Sequence, residues 1–183
     1  IPMWGEIPTI TVNSSTKNIE TSLLRMVSKI DVSLATDEAA DHLDMTSIRL
    51  YNYSTTGQIV PNAENWDAQQ TIVTAPSLTG TPVNGPLIYE NNEITKKDGK
   101  GVSCLNEIYT FEAAAGASDK LESNTCLIIG GTYKGDSQPT YYRVDIANTT
   151  DKGTTATYLA LLRNHQYKVN IQDVKGPGAS TPE

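Results

Sequence analysis

Chemistry needs nucleophiles, bases and metal donors in workable patterns, and this chain is thinly supplied with them. It has two histidines, His42 and His165. A nucleophilic hydrolase needs a Ser or Cys beside a His base that an acid orients. His165 is the candidate base in a strong context, between Asn164 and Gln166 just before a strand pattern, but no GxSxG elbow accompanies it. It reads as a structural histidine at a strand entrance. His42 falls in a short helical pattern and reads as a surface residue. Glycoside hydrolysis needs two carboxylates across a cleft. Glu90, Glu107, Glu112 and Asp145 are available, but nothing in their spacing selects a pair. Gly130 and Gly131 lie inside a β pattern rather than between strand and helix, so they read as a bulge or kink and not as a phosphate loop. The DKG and KDGKG segments lack the spaced acids and closing Glu of a calcium loop.

The cysteines, Cys104 and Cys126, form no CxxC, and no zinc site can be assembled from one neighbourhood of the sequence. A disulfide between them would close a loop of about 23 residues, worth roughly 3 kcal/mol. Alternatively both are buried thiols. TCLIIGG supports the second reading, because it looks like a core strand in which Cys acts as a small hydrophobe. The residues thus imply no enzyme, no cofactor and no metal.

The elements around these residues are patterned as strands. Leu161 to Gly178, LLRNHQYKVNIQDVKGPG, carries the clearest pattern. Tyr167, Val169 and Ile171 share one face, and Lys168, Asn170 and Gln172 the other. That period of two marks a half-buried strand. In LLRMVSKIDVSL, Leu24, Met26, Ile30, Val32 and Leu34 share a parity that Ser28 breaks, with Arg25 and Lys29 opposite. Thr36 followed by Asp37 and Glu38 signals a short helix over residues 37–43. Further strands are expected at Ile10–Asn13, Thr46–Tyr53, Gln58–Val60, Thr71–Val73, Leu87–Glu90, Ile108–Glu112, Thr125–Tyr133 and Thr140–Ile146. In the last, Tyr142, Val144 and Ile146 should face inward. Short strands at intervals of about ten residues describe an antiparallel β-sandwich with at most one or two short helices. A soft shift in composition near residues 62–70 suggests a domain boundary there, between 1–65 and 66–183.

The whole chain agrees with an exterior, all-β protein. It has 183 residues, 38% apolar, with nine Tyr and one Phe. The net charge of −7 argues against nucleic acid or an anionic membrane surface as partner. No apolar run is long enough to span a membrane. The Asn-x-Ser/Thr triplets at Asn13, Asn52 and Asn148 read as turn chemistry.

The ordered set of motifs resembles the fimbrillins, the type V pilin subunits of Bacteroidales bacteria. The strongest match is an Arg-Asn-His-x-Tyr entry into a strand that ends at Gly-Pro-Gly, with Pro-Glu soon after. Arg163, Asn164, His165, Tyr167, Gly176, Pro177, Gly178, Pro182 and Glu183 stand at those positions. TCLIIGGTYKG and TYYRVDI resemble the paired core strands before that signature, and IYTFEA resembles a Tyr-x-x-Glu strand. IPMWGE followed by LLRMVSKIDV resembles the N-terminal domain. The resemblance implies Greek-key, transthyretin-like sandwiches and a lipoprotein precursor exported to the outer membrane. It further implies that a protease removes an N-terminal strand and that a neighbouring subunit's strand fills the groove. Partners would be other pilin subunits and a host or bacterial surface receptor, in fimbriae that support adhesion and biofilm. The family usually continues beyond both ends of this segment, which leads us to expect a partial N-terminal sandwich domain over 1–65 and a C-terminal one over 66–183 that lacks its last strand after Glu183. Arg25, within a strand pattern, reads as structural rather than as the protease site.

Overall fold

The computed structural model describes residues 1–7, 9–16, 18–61, 85–115, 124–149 and 156–182. Twelve strands and one short helix order the described residues. They are β1 (Met3–Trp4), β2 (Leu24–Arg25), β3 (Val27–Leu34), α1 (Asp37–His42), β4 (Leu43–Tyr51), β5 (Leu87–Glu90), β6 (Thr95–Lys97), β7 (Lys100–Phe111), β8 (Cys126–Tyr133), β9 (Pro139–Asp145), β10 (Ala147–Thr149), β11 (Ala156–Tyr158) and β12 (Gln166–Ile171). The expected strand at residues 71–73 and the composition shift at 62–70 lie outside the described residues.

Two four-stranded sheets face each other, one in the order β12-β3-β7-β6 and the other β5-β4-β8-β9. Short pairs β1-β2 and β10-β11 flank them. The molecule is thus an all-β sandwich. Each sheet joins strands from both sides of residue 65: β3 pairs with β7, and β4 with β8. Alternation decides what faces inward. Ile30 and Val32 of β3, Ile48 and Leu50 of β4, Ile108 of β7, and Leu127 and Ile129 of β8 are fully buried between the sheets. Each such side chain contributes roughly 1.5–3 kcal/mol by leaving water. Ser28, which interrupts the apolar parity of β3, is buried too, and its hydroxyl donates to the carbonyl of Thr110 at 3.2 Å. A buried hydroxyl with a partner is tolerated where an unpaired one would not be.

The helix forms where its cap predicts. The Thr36 hydroxyl accepts from the Ala39 amide, and α1 ends at His42 because β4 begins at once. Gly130 and Gly131 do sit at an irregularity, but the extra residue, Thr46, belongs to β4 opposite them. A Cβ on Gly131 would meet the Asp44 carbonyl at 2.3 Å, so the two strands approach too closely there for a side chain.

Several expectations need correction. Ile10–Asn13 and Gln58–Val60 form no strand. Neither segment finds a ladder partner among the described residues, and propensity without a partner does not make a strand. β12 runs parallel to β3, whereas every other pairing of named strands is antiparallel. Both cysteines are free. Cys104 lies between the sheets and Cys126 in a separate cluster with Tyr51 and Ile128. Burial pushes the thiols up, to about 12 and about 11 respectively.

Candidate functional site

The site begins at a buried arginine. Arg163 Nη2 donates to Glu112 Oε2 at 2.7 Å and to the Gln58 carbonyl at 2.9 Å, while Nη1 donates to the Ile59 carbonyl at 3.0 Å. It therefore ties the end of β7 and the loop after β4 to the turn before β12. Asn164 takes a left-handed φ of 59°, which Asn tolerates better than most residues, and its amide donates to the Val27 carbonyl at 2.9 Å. His165 Nδ1–H donates to the Arg163 carbonyl at 2.8 Å, and the His165 carbonyl accepts from the Lys29 amide at 2.9 Å. The Tyr167 hydroxyl donates to the Ala160 carbonyl at 2.7 Å and accepts from the Leu162 amide at 2.9 Å. Burial pushes that phenol up, against the pull of the Leu162 amide. These contacts build one strand entrance. Among the described residues, no Ser or Cys side chain is hydrogen-bonded to the His165 ring.

The entrance launches β12 along an edge. Lys29 N donates to the His165 carbonyl and Ala35 N to the Ile171 carbonyl, so the odd-numbered residues of β12 turn their backbone toward β3. Gln166, Lys168 and Asn170 turn theirs outward by the alternation of a parallel ladder. No other described strand pairs with that side. The side chains of Tyr167, Val169 and Ile171 pack against the inter-sheet core but stay only half-buried.

The facing sheet ends in β9, so the same flank of the sandwich has an edge strand on each side. Tyr142 and Val144 of β9 point inward and are also only partly covered, whereas Ile146 is buried. Between the edges lies a hollow of about 220 Å³ lined by Leu43, Ile129, Tyr142, Val144, Ile171 and Val174, with Asp173 and Lys175. The glycine-rich tail runs along β9. Tyr141 and Ala179 exchange both backbone hydrogen bonds at 2.9 Å, and the Tyr142 hydroxyl donates to the Gly176 carbonyl at 2.9 Å. Gly178 allows this approach, because a Cβ there would lie 2.2 Å from the Tyr141 carbonyl oxygen. Pro177 stands between these two glycines. The residues Arg163–Tyr167 and Gly176–Gly178 therefore frame two sides of one open flank.

The candidate carboxylates are dispersed. Glu112 is paired with Arg163, and Asp145 with Arg143 at 2.7 Å. Glu90 caps the short turn Asn91–Glu93, and Glu107 is an exposed residue of β7. Sequence reasoning missed Asp31, a core-strand acid that carries much of the local order. Its carboxylate accepts from the Asn106 amide at 2.8 Å and from Gln166 Nε2, and pairs with Lys29 at 3.1 Å. Burial opposes its charge, but the bonds from Asn106, Gln166 and Lys29 outweigh burial and hold it below the usual carboxylate value. A second, polar hollow of about 400 Å³ opens on the outer face of the β12 sheet, lined by Arg25, Lys29, Tyr109, Asn164 and His165 among others.

The described residues thus form a two-sheet sandwich in which the edge strand β12 carries a partly covered apolar row. Two curated relatives, both described as major fimbrium tip subunit FimE of Porphyromonas gingivalis, are each 29% identical to this chain over 185 residues. The alignment takes in 99% of this chain and 30% of each relative, so the chain spans less than a third of the relatives' length. No protein-family model matches the chain. No helix among the described residues is long and apolar enough to cross a membrane.

Proposed function

We propose that the chain is the sandwich portion of a fimbrial subunit, displayed at the bacterial surface and joined to neighbouring subunits by strand addition at the β12 flank. Resemblance to fimbrium tip subunits supports the class. The observation that carries the mechanism is the β12 edge: outward backbone groups at Gln166, Lys168 and Asn170 beside a half-buried row of Tyr167, Val169 and Ile171. A donated strand would pair with those groups and lay alternate side chains onto that row and the 220 Å³ hollow. Head-to-tail repetition of such a contact, where its rotation does not close, extends a filament.

Lys168→Pro tests this directly. Proline removes an outward N–H that the β3 ladder does not use, so the sandwich keeps its internal bonds. A full-length precursor trimmed by protease is expected to form ladders that resist mild SDS, and the Lys168→Pro precursor to remain monomeric with an unchanged circular dichroism spectrum. Trimmed wild-type precursor that stays monomeric at high concentration, or ladders unaffected by the proline, would sink the reading. A non-polymerising adhesin is the second reading, and the polar hollow around Arg25 and Tyr109 favours it. In that case the trimmed precursor should stay monomeric, and Arg25→Ala should reduce surface binding.

A further inference from the structure

We propose that Glu38, His42 and Asp173 form a divalent transition-metal site of the zinc class that clamps the end of β12 to α1. The ligand atoms of these three side chains all lie within 4.8 Å of one another. Glu38 and His42 are four residues apart on α1 and so share one face. Asp173 reaches them from the other side, two residues beyond the end of β12.

Three features make the donors a set rather than a chance cluster. First, the set is mixed: one imidazole and two carboxylates, a combination that zinc and its neighbours accept and whose two negative charges balance a dication. Second, His42 Nδ1 and Asp173 Oδ1 stand 3.0 Å apart. Two ligands on one zinc at its usual bond lengths stand about 3.3 Å apart, so a small relaxation turns this hydrogen-bonded pair into neighbouring ligands. Third, His42 and Asp173 are held in place without a metal. The Tyr133 ring lies against the imidazole, with centroids 6.1 Å apart. The Val174 amide donates to Asp173 Oδ1 at 2.6 Å. The Thr36 hydroxyl donates to the Gln172 carbonyl at 2.6 Å, tying the N-cap of α1 to the residue before Asp173. Glu38 is exposed and can swing onto an ion that the other two have captured. Solvent would complete the shell.

The inference stands apart from the polymer reading, because it concerns the chain alone. Cobalt(II) titrated into the 183-residue chain should give saturable visible absorption at one equivalent, displaced by zinc. Zinc should also raise the thermal midpoint. Glu38→Gln, His42→Gln and Asp173→Asn should each weaken cobalt binding at least tenfold, while Asp136→Asn, at an exposed acid elsewhere, should not. The Glu38 variant guards against misfolding, since that side chain supports no packing. No saturable binding at millimolar metal, or binding that survives all three substitutions, would overturn the site.

Discussion

At the scale of single residues, the Arg163–Glu112 pair decides most. Both side chains are nearly sealed from water, at 2% and 6% exposed. Removing one partner strands a buried charge, which costs about 3–5 kcal/mol, whereas an exposed pair would cost less than one. Glu112→Ala should therefore lower the urea midpoint steeply, and Glu112→Gln, which keeps an acceptor, less so. An unchanged midpoint in the alanine variant would remove the pair from its structural role. The sequence displayed Arg163 plainly, within a recognisable motif. It did not display Glu112 as its mate, because 51 residues separate them and many acids were available.

At the scale of elements, β12 hangs on one neighbour, and Asp31 is among its fasteners. The carboxylate holds Gln166 of β12 and the bulge in β7 where Asn106 takes a φ of 62°. Its folded value lies below the ordinary 3.8, so the charged form is the one the fold favours. The stability it supplies is complete above the unfolded value and is lost as pH falls through the folded one. Urea midpoints measured from pH 6 down to pH 3 should drop more in wild type than in Asp31→Asn. Parallel curves would exclude this role. Strand parity was legible throughout: β3, β9 and β12 bury the faces that their alternation marks, because the period of two is written locally. Partner choice was not. The parallel pairing of β12 with β3 joins residues some 137 positions apart, as the Ser33–Asn170 contact does. Likewise His42 looked like a lone surface residue because its partner, Asp173, is 131 positions away.

At the scale of the whole molecule, the ladders cross the soft composition boundary. β3 and β4 precede residue 65, yet each is an inner strand of a sheet completed by later strands. Calorimetry of the chain should show one cooperative transition with matching calorimetric and van't Hoff enthalpies. Two resolved transitions would mean that residues 1–65 and 66–183 hold together separately. The open flank is legible only at this scale, since no local pattern says which edges two sheets will leave side by side.

The parallel docking of β12 has a consequence for the order of events in time. A parallel neighbour cannot arrive through a hairpin, so β3 waits for its outer partner until the chain extends to Ile171. Chains made from the N-terminus can build β3, β4, β7 and β8 first and must close the longest loop last. During that interval β3 itself presents the unpaired edge that β12 presents afterwards. A strand from another molecule arriving early would compete with β12 for the same rail, so the rate of this last closure sets how long the nascent sandwich is open to the wrong partner.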